Sequence, residues 1–242
     1  MKIKEERIPV TIITGFLGAG KTSLLNNLIR KHPEKKFAII ENEFGETGID
    51  GGLIAAAPEA IFELNNGCIC CTLGDDFVFT LENLLGSSYA FDHLLVETTG
   101  IADPSGIVDA FISGTTIQQK FRIDSVMCVA DALNMEDLFD KQPEVRKQIA
   151  LADLVLLNKT DGVNQEKVMF LTRMIEEINP MARVFPTTFG SVDGIDVLNT
   201  NSFSGEAVGK STLAFCHIEP TDEKLTKQIS FVHKPIVPNP IG

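Results

Sequence analysis

The sequence has few positive charges and no long apolar run. Its 21 Lys and Arg residues against 33 Asp and Glu residues give a formal net charge of −12 at pH 7. A chain this acidic is poorly suited to general nucleic-acid binding or to adhesion on acidic membranes. No apolar stretch is long enough to cross a bilayer. Any phosphate group must therefore be held locally, by backbone amides and a few placed cations.

Cysteine is also scarce, with five residues in 242. The amino-terminal stretch has charges but no apolar centre or small-residue cleavage site, so we expect no secretory signal. An odd cysteine count without a signal indicates the reducing cytoplasm. Clustered thiols there more often bind metal or do redox chemistry than form structural disulfides.

Short apolar runs alternate with helical patterns over residues 1–199. Most runs are apolar at successive positions, which is typical of parallel strands buried on both faces. The alternation predicts an α/β fold, with a doubly wound, mostly parallel sheet and helices on both faces. The predicted strands are 8–14, 37–41, 61–64, 93–97, 125–130, 154–157 and 183–187, and the predicted helices are 21–31, 75–85, 104–111, 143–151 and 165–178.

The composition changes near residue 200, where the chain becomes polar and rich in Gly and Ser before a proline-broken end. This change predicts one core domain, 1–199, and a short C-terminal appendage, 200–242, with a strand at 212–218.

The stretch "GFLGAGKTSLL" follows the first predicted strand and opens the first predicted helix. Its spacing fits a phosphate loop (P-loop). In such a loop glycines let amides point at phosphate oxygens, the lysine reaches the β- and γ-phosphates, and the hydroxyl faces Mg²⁺. We therefore predict a P-loop NTPase fold whose phosphate and Mg²⁺ residues are Gly15, Gly18, Ala19, Gly20, Lys21, Thr22 and Ser23.

A second signal is "FDHLLVETTG", where an apolar strand runs into Glu97 and Gly100 follows. Alone, Glu97 would more often be an exposed strand-end residue. Beside a phosphate loop, a carboxylate here can hold Mg²⁺, and the Gly100 amide can sense a γ-phosphate. We predict Lys21 and Glu97 as catalytic residues.

The stretch "LVLLNKTD" indicates which nucleotide base the protein recognises. Asn158, Lys159 and Asp161 lie just past an apolar strand, and the Asp161 carboxylate can accept two hydrogen bonds that guanine donates and adenine cannot. Asn158 would tie this turn to the phosphate loop, and the Lys159 stem would cover the base. The predicted nucleotide is GTP.

Three cysteines, Cys68, Cys70 and Cys71, lie within "ELNNGCICCTLGDD". Thiolates favour Zn²⁺ and other soft or borderline ions. Two of them, with Glu41 or Glu46 from "ENEFGE", would make a mixed site that can release its ion. Two alternatives stay open: the cysteines are small buried residues, or they form a redox switch.

The segment "ENEFGETGID" occupies the position of a switch in P-loop GTPases. Asp50 is a third candidate catalytic residue, for Mg²⁺ or for orienting water. If Glu41 and Glu46 bind the metal while Asp50 responds to the nucleotide, this segment couples the two ligands.

Together, "TGFLGAGKTSLLNNL", "IIENEFGETGIDGGLI", "ELNNGCICCTL", "LLVETTGIADP" and "VLLNKTD" resemble the CobW-type family of metal-chaperone GTPases, relatives of the urease and hydrogenase accessory GTPases. The resemblance implies GTP hydrolysis and handling of Zn²⁺ or Co²⁺ at the cysteine motif. Family members usually carry a further C-terminal domain of substantial size and often a histidine-rich stretch. This chain has 43 residues in 200–242 and four histidines in all.

The resulting hypothesis is a Mg²⁺-dependent GTPase that passes Zn²⁺ or Co²⁺ to a client metalloprotein or cofactor pathway. Because no arginine finger or water-positioning glutamine is evident, we expect slow hydrolysis that a partner or a GTP-dependent homodimer accelerates. Two alternatives remain: a thiol-based metal or redox sensor gated by GTP, and a small-molecule kinase.

Overall fold

The computed structural model describes residues 7–41, 61–63, 75–113 and 115–203. The β-strands in these ranges are β1 Ile8–Thr14, β2 Phe37–Glu41, β3 Ile61–Glu63, β4 His93–Glu97, β5 Phe121–Asp131, β6 Leu154–Asn158 and β7 Arg183–Pro186. The α-helices there are α1 Lys21–Lys31, α2 Asp75–Gly86, α3 Ser105–Ser113, α4 Thr115–Lys120, α5 Met135–Lys141, α6 Pro143–Leu151 and α7 Gln165–Ile178, with a 3-10 turn at Thr160–Gly162.

The strands form one sheet in the order β3-β2-β4-β1-β5-β6-β7. Each pairing between described strands is parallel. The predicted doubly wound sheet is therefore confirmed. Because β1 lies between β4 and β5, the chain winds away from it in both directions. Ligands bind at the carboxyl ends of the strands beside such a switch point.

The core lies on both faces of the sheet because successive side chains of a strand alternate between faces. In β5, Met127 and Val129 pack in the layer of α1, whereas Cys128 and Ala130 pack with α5, α6 and α7. Apolar residues at successive positions of β5 thus serve two cores, as the continuous apolar runs indicated.

Two helices and one strand start were absent from the sequence-based prediction. Helices α4 and α5 are six and seven residues long, too short for a convincing helical period. Strand β5 begins at Phe121, four residues before the predicted start, and includes Arg122 and Asp124. Asp124 is fully buried because its carboxylate accepts hydrogen bonds from the Thr200 and Asn201 N–H groups. Other boundaries differ by one or two residues.

The chain divides into two compact units, Met1–Ser204 and Gly205–Gly242. The second unit, with the predicted strand at 212–218, lies outside the described residues, so the two-part division at residue 199 stays a prediction. Within the described ranges, the helices are all too short or too polar to span a membrane.

Candidate nucleotide-binding site

The loop between β1 and α1 has a backbone that only glycine accommodates at two points. Gly15 has a φ of 136°, and a Cβ there would lie 2.2 Å from the Val129 carbonyl oxygen. Gly20 has a φ of 107°, and its Cβ would lie 2.4 Å from Asn158 Nδ2. Both values lie in the left-handed region that favours glycine. The two ends of the loop are therefore fixed against β5 and β6.

Lys21 is the first residue of α1 and is only 8% exposed. Its Nζ donates to the carbonyl oxygens of Gly15 at 2.9 Å and Phe16 at 3.3 Å. The ammonium group is thus held inside the loop that the sequence predicted to surround phosphate. The N–H groups of the first helical turn, at Lys21, Thr22 and Ser23, add positive potential at the same place. This arrangement suits an anion.

Oxygen ligands for a hard cation meet beside this loop. The Thr22 hydroxyl donates to Glu97 Oε1 at 3.3 Å, which joins the start of α1 to the end of β4. The next residue, Thr98, is buried, and its backbone N–H and hydroxyl bond to Ile13 and Thr14 of β1. A hydroxyl and a carboxylate at the edge of a phosphate loop fit Mg²⁺, which prefers oxygen ligands. The structure thus brings the predicted Thr22 and Glu97 together.

Asn158, at the end of β6, connects three loops. Its Nδ2 donates to the Ala19 carbonyl of the phosphate loop at 2.8 Å. Its Oδ1 accepts the Gly190 N–H at 2.9 Å. The side chain is 2% exposed, so both bonds form away from water, where an unmade bond is costly. The predicted tie between this turn and the phosphate loop is present in the structure.

Lys159 and Asp161 follow Asn158 in the turn predicted to read the base. Lys159 has a φ of 61°, an uncommon conformation for a residue with a side chain, and its Nζ lies 2.8 Å from Asp131 Oδ2. Burial acts to raise the pKa of Asp131, but hydrogen bonds from Lys159, Asn134 and the Leu133 N–H outweigh it and lower that pKa. Asp131 therefore stays ionised and fixes the Lys159 stem. Asp161 is exposed, available to a ligand.

A further loop, residues 187–191, packs beside this turn. The Thr187 carbonyl accepts hydrogen bonds from the N–H and the hydroxyl of Thr160. The Phe189 carbonyl accepts from Asn27 Nδ2 of α1 at 2.8 Å. The Phe189 ring itself is 77% exposed. This loop thus joins α1 to the predicted base-reading turn.

The predicted metal site falls mostly beyond the described ranges. Cys68, Cys70, Cys71, Glu46 and Asp50 all lie outside the described residues, as does the switch segment after Glu41.

Glu41 is described, and it ends β2 in register with Glu97 of β4. In the described part of the chain, no group of three or more His, Cys, Asp or Glu side chains is arranged to hold a metal ion. Cys128, the one cysteine in that part, is buried in the core, and burial raises the pKa of its thiol to about 12.

Three residues in or beside this site were missed by the sequence-based prediction: Asp131, Gly190 and Gln148, whose amide donates to the carbonyls of Gly100 and Ala102 after β4. Asp131 ends an apolar strand, as Glu97 does, and that position was a usable signal. Gln148 and Gly190 carry no local signal, because their roles depend on contacts between segments distant in sequence.

Two curated proteins are similar to this chain in sequence. Zinc chaperone YjiA from Escherichia coli is 38% identical over 200 residues, covering 81% of this chain and 62% of that protein. Zinc-regulated GTPase metalloprotein activator 1 from Schizosaccharomyces pombe is 34% identical over 207 residues, covering 82% of this chain and 50% of that protein. The chain thus spans about half to three-fifths of the length of these curated relatives.

A solved structure shows the same architecture. The Zn(II)-bound YjiA GTPase from E. coli superimposes with a TM-score of 0.61 at 31% sequence identity, covering 82% of this chain and 63% of that chain. Residues 9–186 match the family described as "CobW/HypB/UreG, nucleotide-binding domain". With most of the chain inside that match, the protein belongs to the CobW/HypB/UreG family of nucleotide-binding domains.

Proposed function

We propose that this protein is a Mg²⁺-dependent GTPase that binds Zn²⁺ or Co²⁺ and delivers the ion to a client metalloprotein or cofactor pathway. The observation that carries the nucleotide part is Asn158, whose side chain bonds to the Ala19 carbonyl of the phosphate loop. The phosphate loop and the predicted base-reading turn are therefore held together. The metal part is supported by the cysteine motif and by the zinc proteins among the relatives.

The main residues of the predicted nucleotide site have separate roles in this proposal. Lys21 and the amides of the glycine loop bind the β- and γ-phosphates, and Asp161 selects guanine. Thr22 and Glu97 would hold Mg²⁺, directly or through water. When bound, that ion neutralises charge that develops on the phosphate oxygens. Asp50 remains a candidate for orienting the attacking water.

Coupling between nucleotide and cargo is supported by the register of the sheet. Glu41 is one of the proposed cargo ligands, and it pairs with Glu97 on the neighbouring strand. Neighbouring strands lie about 5 Å apart. A carboxylate proposed for the cargo ion and a carboxylate proposed for Mg²⁺ therefore end adjacent strands at the same level. A change of ligand or position at the end of β4 can therefore alter the end of β2 directly, because the two strands are hydrogen-bonded neighbours.

The nucleotide part is tested by calorimetric titration with GTP, GDP, ATP and ADP in the presence of Mg²⁺. We expect guanine nucleotides to bind at least a hundredfold tighter than adenine nucleotides, because the Asp161 carboxylate has two guanine donors to accept and none from adenine. Asp161→Asn should weaken GTP and improve xanthosine triphosphate. Equal affinity of the wild-type protein for ATP and GTP would overturn the assignment.

The metal part is tested by competition titration with Zn²⁺ and Co²⁺ on protein held with GDP or with a non-hydrolysable GTP analogue. We expect Cys70→Ser to lose the site, whereas Cys128→Ala, the matched control in the core, should keep it. Binding should release protons, because thiols must deprotonate to bind.

Coupling between nucleotide binding and metal binding must act equally in both directions. If the GTP analogue tightens metal binding tenfold, about 1.4 kcal/mol, then metal must tighten binding of the analogue by the same factor. Metal affinity that is identical in both nucleotide states would refute the delivery mechanism. Unchanged affinity in Cys70→Ser would refute the site.

A further inference from the structure

Gln148 is a buried polar residue that no part of the proposed mechanism has used. It lies in α6 between apolar neighbours, Val145 and Ile149, and is 1% exposed. Burying an amide in an apolar helix face is unfavourable unless it is hydrogen-bonded. Its Nε2 donates to the Gly100 carbonyl at 3.0 Å and to the Ala102 carbonyl at 3.2 Å. Both acceptors lie in the loop that follows Glu97.

A second contact between α6 and this loop is made by Lys147, whose Nζ lies 3.2 Å from Asp103 Oδ2. This pair is partly exposed and contributes little by itself. Together with the two Gln148 bonds, it places three attachments on adjacent residues of one helix. Helix α6 is therefore attached to the loop that follows β4 at Gly100, Ala102 and Asp103.

The same loop also packs against the phosphate loop. A Cβ on Gly100 would lie 2.4 Å from the Leu17 backbone nitrogen, so the two backbones are in direct contact there. In a trans peptide the N–H points opposite to the C=O. When Gln148 draws the Gly100 carbonyl towards α6, the Ile101 N–H is turned away from α6.

From these contacts we infer that Gln148 is a positioning residue, which holds the loop after β4 with donor groups facing the γ-phosphate and so makes the protein distinguish GTP from GDP. The inference rests on the proposed function, since it needs a GTP site beside the loop. Gln148 touches neither nucleotide nor Mg²⁺ in this role. It acts through the orientation of the peptide groups near Gly100.

Gln148→Met tests the inference because it keeps the side-chain length and removes the donors. We expect affinity for a non-hydrolysable GTP analogue to fall at least fivefold, affinity for GDP to stay within twofold, and kcat for GTP to fall at least tenfold. Val145→Ala is the matched control, because it weakens the packing of the same helix and leaves both hydrogen bonds in place. It should lower the melting temperature and leave the ratio of the two affinities unchanged.

Gln148→Glu adds a second measurement, the pH dependence of affinity for the GTP analogue, which would not change if Gln148 only stabilised the fold. An ionised carboxylate cannot donate to the two carbonyls, whereas a protonated one can donate once. Relative to wild type at each pH, we expect the affinity of Gln148→Glu for the GTP analogue to recover as the pH falls from 8 to 6, and that of Gln148→Met to stay low.

The outcomes separate the two proposals. A wild-type protein that binds neither guanine nucleotide overturns the proposed function itself. A wild-type protein that binds both, with Gln148→Met keeping the wild-type ratio of affinities, overturns the role of Gln148 alone. A change in that ratio equally large in Val145→Ala also overturns it, because helix packing would then explain the effect.

Discussion

Replacing Asn158 with alanine tests how the nucleotide site is held together. The substitution removes the donor to the Ala19 carbonyl and the acceptor for the Gly190 N–H. Since Asn158 is 2% exposed, water does not readily replace these bonds. Each buried group left unsatisfied costs about 1–3 kcal/mol. We expect the free energy of unfolding to fall by about 2–4 kcal/mol, which lowers Tm by roughly 5–15 °C in a domain of this size.

The stability assay is urea unfolding followed by far-UV circular dichroism, because the chain has no tryptophan to report by fluorescence. Nucleotide binding is measured on the same samples at a temperature where each variant is folded. Affinity for GDP and for the GTP analogue should fall together, at least tenfold, because Asn158 holds the loop around phosphates that both nucleotides share.

Asn179 offers a matched control that is not among the predicted nucleotide-binding residues. It is 8% exposed, and its Nδ2 donates to the carbonyls of Ile149, Ala150 and Ala152. Asn179→Ala should lose comparable stability and keep nucleotide affinity. A loss below about 0.5 kcal/mol in Asn158→Ala, or an equal loss of nucleotide affinity in Asn179→Ala, would refute the reasoning.

Three further predictions follow from single contacts. Gly15→Ala should prevent folding, because its Cβ would overlap Val129, and the protein should then show no cooperative melt. Gly18→Ala should lower the free energy of unfolding by only about 1–2 kcal/mol, because its Cβ meets nothing within 4 Å and only the φ of 71° is unfavourable. Burial raises the pKa of Asp153 to about 6, so the folded protein favours the protonated carboxyl. The contribution of this group to the free energy of unfolding is therefore fully present below pH 4 and is lost as pH rises through 6. Asp153→Asn should therefore raise the free energy of unfolding at pH 8 by about 1–3 kcal/mol and flatten its change between pH 4 and 6; unchanged pH dependence would contradict this. Glu97→Ala should lose Mg²⁺-dependent hydrolysis more than nucleotide affinity, and wild-type turnover in that variant would show that the carboxylate is misassigned.

The pH behaviour of His93 follows from a similar contact. This residue is fully buried, with its Nε2 2.9 Å from Thr11 Oγ1. Burial lowers its pKa to about 3. Neutral His93 therefore stabilises the fold above pH 6.5, and that contribution is lost as pH falls from 6.5 towards 3. Its effect opposes that of Asp153 over the same range.

Much of the fold could be predicted because its signals are local. A strand buried on both faces must be apolar at successive positions, and β1, β4 and β6 are short runs of that kind. The amphipathic pattern of α7 and the glycine loop before α1 are equally local. The start of β5 could not be found in this way, because bonds to residues distant in sequence stabilise it. Helices α4 and α5 were missed because six and seven residues are too few for a convincing helical period. Asp124 in β5 is the clearest case: it is polar in sequence and buried in the fold.

The sequence by itself determined which chemical groups the site contains. Loop glycines before Lys21, an acid at the end of β4 and Asn158-Lys159-Thr160-Asp161 after β6 predict sites for phosphate, magnesium and guanine. Each of these ligands is recognised by a short backbone conformation or a fixed set of donors and acceptors.

Only the tertiary structure decided which of these groups touch and what holds them. Three hydrogen bonds in the site join residues that are far apart in sequence. Asn158 bonds to Ala19 across 139 positions, Thr22 to Glu97 across 75 and Gln148 to Gly100 across 48. The strand order creates the first two contacts by setting β4 directly beside β1 on one side and β6 two strands away on the other. A single chain does not reveal such pairings, because hydrogen bonds between distant segments leave no periodic pattern in the sequence.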